Sequence, residues 1–144
     1  MEAMQISRSG MDVEWQRLQV IAQNIANMNT TRTGSGGVYQ ARRLVSGPVG
    51  GFAQILSRYP GQPAAPRNGV TVYDIAATGA GTQRVFDPSH PHADESGFVT
   101  IPAISQADEM TLMIKTTRAY EANLVALSAA QQIYSSALQV GRQA

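Results

Sequence analysis

The 144-residue sequence contains no cysteine, so disulfide bonds, thiolate nucleophiles and cysteine-based zinc sites are excluded. Charged residues make up only 15% of the chain, against roughly 25% in ordinary globular domains, and aromatic residues make up 6%. The 11 basic and 10 acidic residues nearly cancel, so bulk electrostatic attraction to nucleic acid or to an anionic membrane is not expected. A surface with so little charge favours packing against a partner, and we expect self-association.

Long apolar runs are also missing. The first residues include Glu2, Arg8, Asp12 and Glu14, so we expect no cleaved secretory signal. The longest stretch without charge runs from Ala122 to Gly141, but asparagine, serine and glutamine interrupt it, and we expect no insertion into lipid.

Apolar residues near both ends of the chain recur at steps of three, four and seven, the spacing of one face of an α-helix. The pattern predicts a first helix from about Met4 to Met28 and a second from about Asp108 to Arg142, which Ser105 caps. The second would be a rod of about 50 Å, which only the first helix is long enough to cover, so we expect a coiled-coil-like pair. The positions expected to pack, within the chain or in an assembly, are Met11, Trp15, Leu18, Ile25, Met113, Tyr120, Leu124, Leu127, Tyr134 and Leu138.

Between the helices, glycine, proline and short β-branched runs replace the helical spacing, which predicts an α+β protein with a small strand-rich middle region. We expect the N-terminal helix of an assembly domain in residues 1–33, the middle region in 34–104 and the C-terminal helix in 105–144. A short helix at 51–58 and a proline-rich extended loop at 59–68 are also predicted. The expected strands are Val38 to Val45, Val70 to Ala76, Gln83 to Phe86 and Phe98 to Ile101.

One loop of the middle region carries side chains that can bind metals. They are Asp87, His90, His92, Asp94 and Glu95. Their spacing matches no metal motif, and Pro88 and Pro91 favour a stiff structural loop, so a metal site is the minor alternative. No residue lies in a recognised catalytic or phosphate-binding motif, and we expect neither enzymatic activity nor a cofactor.

Polar side chains elsewhere leave two interpretations open. Arg32, Arg42 and Arg43, with Tyr39 between them, could contact a phosphate backbone, but pairing with a neighbouring subunit is the simpler role. On the helices, Asn24, Asn27, Tyr120, Glu121 and Asn123 could be ordinary solvated residues. They could also make hydrogen bonds that set the register of packed helices.

Three segments of the chain are similar to sequence motifs of one known protein family. Asn24-Ile25-Ala26-Asn27-Met28-Asn29-Thr30 is similar to the N-I-A-N-x-N-T motif of flagellar rod and hook proteins. Arg118-Ala119-Tyr120-Glu121-Ala122-Asn123 is similar to their C-terminal R-A-Y-E-A-N motif. A loop of the proximal-rod members resembles the segment Asp87-Pro88-Ser89-His90-Pro91-His92-Ala93-Asp94. This chain has His92 at the position where those members usually have aspartate. The resemblance to the bacterial flagellar basal-body rod proteins covers about residues 6–142 and is least distinctive over 46–80.

The resemblance implies a structural subunit of the proximal rod, the driveshaft that transmits torque across the periplasm in the flagellar basal body. It implies export by the flagellar type III apparatus and no binding of nucleic acid. The implied partners are other rod proteins, copies of the chain itself, the inner-membrane ring and a rod-base adaptor. Apolar terminal helices are expected to gain order when they stack with neighbouring subunits. Another rod or hook subunit, or a coiled-coil adaptor unrelated to flagella, is the alternative.

Overall fold

The computed structural model describes residues 2–50 and 69–143. Within these ranges the chain forms two long helices, one at each end, and two β-hairpins between them. The elements in chain order are α1 (Glu2–Ala26), β1 (Arg42–Pro48), β2 (Val70–Ala77), β3 (Thr82–Phe86), β4 (Phe98–Pro102) and α2 (Gln106–Gln143). The predicted α+β fold is confirmed, whereas the helix expected at 51–58 and the loop expected at 59–68 lie outside the described residues.

The two helices pack antiparallel along the full length of α1. The end of α1 meets the beginning of α2, where the Asn24 amide lies 3.3 Å from the Glu109 carboxylate. Ser105 caps α2 as predicted, because its hydroxyl accepts a hydrogen bond of 3.3 Å from the backbone N–H of Asp108. The predicted helix pair is confirmed.

The face of α2 that α1 covers coincides only in part with the predicted positions. Among the α2 residues predicted to pack, Met113, Tyr120 and Leu127 are only half-buried, and Leu124, Tyr134 and Leu138 are exposed. The side chains that meet α1 lie about one residue further back along the chain, at Glu109, Leu112, Thr116, Ala119, Asn123 and Ala130. One residue corresponds to about 100° of rotation in a helix. The covered face contains small and polar residues, because they allow close approach of the helices and hydrogen bonding between them. A prediction based on the spacing of apolar residues does not detect such a face.

Gly10 marks the point of closest approach between the helices. A Cβ atom at this position would lie 2.8 Å from the Asn123 side-chain oxygen. The missing side chain therefore gives Asn123 the space it occupies, and this offsets the cost of a glycine within a helix, about 1 kcal/mol.

The β1–β2 hairpin covers a second face of α1. Val13 and Val20 of α1 form a small core with Leu44 of β1, and Val70 and Val72 of β2 pack against it. The register of the antiparallel pair shifts at a bulge between residues 45 and 46. Among the described residues, α2 covers one side of α1 and the β1–β2 hairpin covers another, and the rest of the α1 surface is open.

Three of the four predicted strands agree with the structure to within one residue. The first does not, because it was expected from Val38 and begins at Arg42. Its partner β2 ends at Ala77, which pairs with Arg42, so within residues 2–50 and 69–143 no strand lies beside residues 38–41. In the part of the chain that the structure describes, the β3–β4 hairpin is a separate two-stranded sheet, and its two phenylalanines, Phe86 and Phe98, meet edge to face at 5.3 Å.

None of the described helices is long and apolar enough to cross a membrane.

Candidate assembly surface

A buried polar cluster joins α1, α2 and the start of β1. The Asn24 side chain is 0% exposed and lies at its centre. Its amide donates to the Arg42 carbonyl at 2.9 Å and to Glu109 at 3.3 Å. Its carbonyl accepts from the Tyr39 hydroxyl and from the Arg42 backbone N–H, both at 3.0 Å. Both donors and both acceptor positions of this side chain are therefore used.

Glu109 supplies the charge in this cluster. Its side chain is 2% exposed, and its carboxylate forms an ion pair with the Arg43 guanidinium. A buried carboxylate requires such compensation, because removal of the partner typically costs about 3 to 5 kcal/mol. We predicted that Arg43 pairs with a neighbouring subunit. Arg43 in fact has a partner in its own chain, Glu109, and pairing with a neighbouring subunit stays a prediction.

Tyr39 closes the cluster towards the solvent. Burial raises the pKa of its hydroxyl, Arg42 opposes the shift, and the Glu109 carboxylate adds to it. The hydroxyl therefore stays protonated at neutral pH and donates to Asn24. This arrangement differs from the stacking and phosphate contacts weighed for Tyr39 and its neighbouring arginines.

Asn24 and Asn123 turn out to have different roles. Asn24 makes the interhelical hydrogen bond considered in the sequence, whereas Asn123 donates to the Ala119 carbonyl of its own helix at 2.9 Å. Asn27 likewise bonds back to the Gln23 carbonyl at 2.8 Å. Hydrogen bonding across the helix pair is thus observed for Asn24, while Asn123 acts through its close packing against Gly10.

The loop at residues 87–98 is held together by two aspartates. Asp87 accepts hydrogen bonds from the Ser89 hydroxyl at 2.7 Å and from its backbone N–H at 3.2 Å. Asp94 accepts from the backbone N–H groups of Phe98 and Ser96, both at 2.9 Å, and forms an ion pair with Arg84. Pro88 and Pro91, on either side of the first turn, are exposed.

The same loop is attached to the segment that follows α1. The His92 imidazole Nδ1 forms a 2.8 Å hydrogen bond with the Thr31 hydroxyl. His90 accepts a 3.0 Å hydrogen bond from the His92 backbone N–H, and the two rings lie 5.4 Å apart. Across residues 2–50 and 69–143, no group of three or more His, Cys, Asp or Glu side chains is arranged to hold a metal ion. The contacts of the histidines are those of a structural loop.

The order of this loop should depend on pH through its two aspartates. Hydrogen bonds from Ser89 hold the pKa of Asp87 below its ordinary value of 3.8, and those from Phe98 and Ser96, with Arg84, do the same for Asp94. A lowered folded pKa stabilises the loop above the ordinary value, and the contribution is lost as pH falls through the folded pKa. In an NMR titration, we expect the loop amides to keep their native shifts at pH 3.8 and to lose them only at lower pH.

The variant Asp94→Ala provides the matched test of this pH dependence. In this variant, the NMR shifts of the Phe98 and Ser96 amides should differ from the native shifts at every pH, because the carboxylate that accepts their hydrogen bonds is missing. The amides of β1 and β2 should keep their wild-type shifts. Native loop shifts in the variant at neutral pH would contradict the role of the Asp94 carboxylate.

An uncovered apolar stripe runs along α2 beside the face that α1 covers. It consists of Leu124, Gln131, Tyr134 and Leu138, and we call it the outer stripe. Leu124 is 49% exposed and Leu138 52% exposed. Every residue from 131 to 141 is exposed, and in this segment the start of α1 lies beside Ile133, Tyr134 and Ala137 through Ala3 and Met4.

Trp15 of α1 is uncovered as well, at 56% exposure. It lies on the wall of a groove of about 480 Å³ between the two helices, which we call the Trp15 groove. The lining residues are Arg8, Met11, Asp12, Trp15, Tyr120 and Leu127. The other predicted packing residues of α1, Leu18 and Ile25, are half-buried. Four of the predicted packing positions thus lie on the two sides of an open groove, namely Met11, Trp15, Tyr120 and Leu127.

The motif residues fall into two groups. Those in contact within the chain are Asn24, Ile25, Asn27, Thr30, Ala119, Tyr120 and Asn123, and those exposed are Ala26, Asn29, Arg118 and Glu121. Thr30 accordingly donates to the Asn27 side chain at 3.2 Å. Glu109 and Arg43 belong to the buried cluster but were missed as a pair, since 66 residues separate them. The single sequence signal for Glu109 is its spacing of seven from Thr116 and of fourteen from Asn123.

Two family models match the ends of the chain. The model described as flagella basal body rod protein matches residues 4–32, and the model described as flagellar basal body rod FlgEFG protein C-terminal matches residues 95–140. These ranges contain α1 and α2, the two helices that carry the buried cluster and the outer stripe.

Whole-chain relatives give the same result. The flagellar basal-body rod protein FlgC of Bacillus subtilis (strain 168) is 31% identical, and the alignment covers 97% of each chain. FlgC of Borreliella burgdorferi is 30% identical over 96% of this chain and 95% of its own length. FlgC of Escherichia coli O6:H1 is 28% identical over 95% and 94%, respectively. Family models match both ends of the chain, and relatives at least 30% identical cover 96% or more of it, so the chain belongs to the FlgC family of flagellar basal-body rod proteins, the structural subunits of the rod.

Proposed function

We propose that the chain builds the proximal part of the rod and transmits torque across the periplasm through its packed terminal helices. The observation that supports this most is the uncovered apolar surface on both helices, the outer stripe and the Trp15 groove, in a chain of rod-protein ancestry. Large exposed apolar patches typically mark protein interaction sites. A structural role needs no reacting groups, and we infer that the chain is not an enzyme.

The proposed partners follow from the same surfaces. Other rod proteins and further copies of the chain would cover the outer stripe, and the inner-membrane ring and the rod-base adaptor would contact the subunit at the base of the rod. Export through the flagellar type III apparatus is part of this proposal on the strength of family membership alone. The division into two terminal assembly segments and a middle region, at residues 1–33, 34–104 and 105–144, is proposed with it.

Assembly should order one end of the helix pair more than the other. The buried cluster around Asn24 joins α1, β1 and α2 at one end, whereas no residue from 131 to 141, at the other end, is buried. Isolated helical segments with few tertiary contacts are marginal in water. We therefore propose that the far end of α2 gains its stability from neighbouring subunits.

Amide hydrogen exchange on the purified chain tests this gradient. We expect slow exchange around Asn24, in β1 and at the beginning of α2, and fast exchange over residues 131–141. Uniform protection of α2 to its end in the dilute monomer would contradict ordering on assembly. It would also favour a self-sufficient helical pair of the adaptor type.

The rod assignment itself is tested in cells. A strain that lacks its own chain of this type should regain motility when this chain is supplied, and the chain should purify with basal bodies stripped of hook and filament. Recovery with the hook fraction instead would indicate another axial subunit, and the absence of the chain from both fractions would overturn the proposed function.

A further inference from the structure

The outer edges of the β1–β2 hairpin have polar partners within the chain. On β1, the Asn24 side chain of α1 bonds both the N–H and the carbonyl of Arg42. On β2, the Ser9 hydroxyl of α1 accepts a hydrogen bond of 3.1 Å from the Val70 N–H. Free backbone groups on an edge strand can pair with another chain, so folded proteins usually cover them in such ways.

The outer edge of β4 is closed by the residues around it. The Asp94 carboxylate accepts from the Phe98 N–H at 2.9 Å, and the Phe98 carbonyl accepts from the Asp94 N–H at 2.8 Å. Pro102 has no N–H, and its carbonyl accepts from the Ile104 N–H at 3.0 Å. Of the three outward-facing residues of β4, Thr100 alone has no such partner in the described part of the chain.

The outer edge of β3 is open. The Gly97 carbonyl accepts from the Asp87 N–H at 3.0 Å, which, with the strand register, fixes which residues of β3 bond to β4. The N–H and carbonyl groups that point away from β4, which we call the β3 edge, belong to Thr82, Arg84 and Phe86. Within residues 2–50 and 69–143 these groups have no hydrogen-bond partner, and every residue of β3 is exposed.

The charged side chain of β3 does not cover this edge. Arg84 lies over the Phe98 ring of β4, with its guanidinium carbon 4.6 Å from the ring centre, and forms an ion pair with Asp94. A charge often protects an edge strand, but this one is directed across its own sheet. The apolar side chains beside the edge are Phe86, 64% exposed, and Val85, 42% exposed. No other helix or strand of the described chain packs against the hairpin, which leaves the β3 edge accessible.

We propose that the β3 edge binds an extended segment of another protein as an added strand, with apolar residues in its centre and a basic residue at the end beside the loop at residues 87–98. Addition of a strand to an open sheet edge is an established mode of peptide recognition. Residues 82–102 contain one arginine against three carboxylates, a net charge of −2 with neutral histidines, which favours the basic end. The inference concerns the middle region and does not require the helices to pack in a rod.

A second copy of β3 fits this edge less well. Full antiparallel overlap of two β3 strands sets Arg84 opposite Arg84, and like charges directly opposite each other destabilise a sheet. Full parallel overlap sets two acidic loops side by side. We therefore expect the added strand to come from a different protein.

Amide hydrogen exchange measured by NMR on the full-length chain tests the β3 edge. The probe is a short peptide of alternating valine and threonine with one lysine at each end and blocked termini. We expect the probe to slow exchange of the Thr82, Arg84 and Phe86 amides by about tenfold, because they gain hydrogen bonds. The Thr100 amide, at the opposite edge of the hairpin, should not change. The same peptide with glutamate in place of lysine should bind about tenfold more weakly.

Thr82→Pro and Thr82→Val form a matched pair of variants. Proline is tolerated at the first residue of a strand, and here it removes an outward N–H, not a hydrogen bond between β3 and β4. We expect Thr82→Pro to weaken probe binding by about fivefold and Thr82→Val to bind like the wild type. Native shifts of the Val85 and Val99 amides in both variants show that the hairpin is intact.

Three results would overturn the inference. They are unchanged exchange at the β3 edge at the highest probe concentration, equal binding of the lysine and glutamate peptides, and slowing that grows with the concentration of the chain alone. The last would mean that a second copy occupies the edge. Failure of the rod assignment is recognised separately, because a chain that binds the probe but does not purify with basal bodies refutes that assignment alone.

Discussion

The substitution Asn24→Leu should destabilise the chain by about 3 kcal/mol or more, because it removes the central residue of a buried polar cluster and leaves the groups around it without their hydrogen bonds. The Tyr39 hydroxyl, the backbone N–H and carbonyl of Arg42, and one oxygen of Glu109 would all lose a hydrogen bond. Each buried polar group left without a partner costs about 1 to 3 kcal/mol, and local rearrangement recovers part of the total. Urea unfolding followed by Trp15 fluorescence and by circular dichroism measures the loss.

Asn27→Leu is the matched control, since it makes the same replacement one helical turn further along. The Asn27 side chain contacts the carbonyl of its own helix and the Thr30 hydroxyl, both near the surface. We expect a loss below about 1 kcal/mol. If the two variants lose equal stability, the Asn24 cluster is not what joins the helices to β1.

Glu109→Gln separates the charge of the cluster from its shape. The amide keeps an oxygen for Asn24 but no longer forms an ion pair with Arg43. We expect an effect between those of Asn24→Leu and Asn27→Leu, because Arg43 is partly exposed and retains contact with water.

The regular part of this fold is predictable from local patterns. The steps of three and four around Leu18 and Tyr120 predict the helices, and Ser105 predicts the beginning of α2, because both signals act within a few residues. The strands that begin at Val70 and Phe98 are bounded by turn residues and were likewise found to within one residue. These features need no knowledge of which segments meet.

The contacts between distant segments could not be predicted as well from the sequence. Asp108 and Glu109 are both acidic residues in the first turn of α2, so local spacing does not distinguish them. Of the two, only Glu109 is buried, because Arg43 and Asn24 lie against it. In the same way, the close packing of Gly10 against Asn123 favours one of two adjacent faces of α2 as the face that α1 covers. Such choices depend on partners far apart in the sequence, which spacing within one helix cannot reveal.

The choice of face has a functional consequence, because it leaves the outer stripe free. Had α1 covered the face that contains Leu124, this side chain would not be open to a neighbouring subunit. With the polar and small face turned inward instead, the largest apolar side chains of α2 face outward. The internal fold is thus fixed by hydrogen bonds and close packing, and the apolar surface remains available for assembly.

Leu124→Asp should abolish incorporation into basal bodies while it leaves the isolated chain folded. Leu124 is 49% exposed in the chain, so the substitution should change its own stability by less than about 1 kcal/mol. In the assembled rod, as we propose it, the same position is covered by a neighbouring subunit, and an unpaired carboxylate there costs about 3 to 5 kcal/mol. That cost corresponds to a weakening of the contact by more than about a hundredfold.

Quantitative immunoblotting of purified basal bodies, with circular dichroism of the secreted or purified variant, measures both parts of this prediction. Gln132→Asp is the control, because it adds the same charge to the same helix at an exposed polar position outside the outer stripe. It should incorporate like the wild type. Normal incorporation of Leu124→Asp would mean that the outer stripe stays solvated in the rod, and the packing role of the predicted apolar positions would then have to be assigned to the Trp15 side of α1 alone.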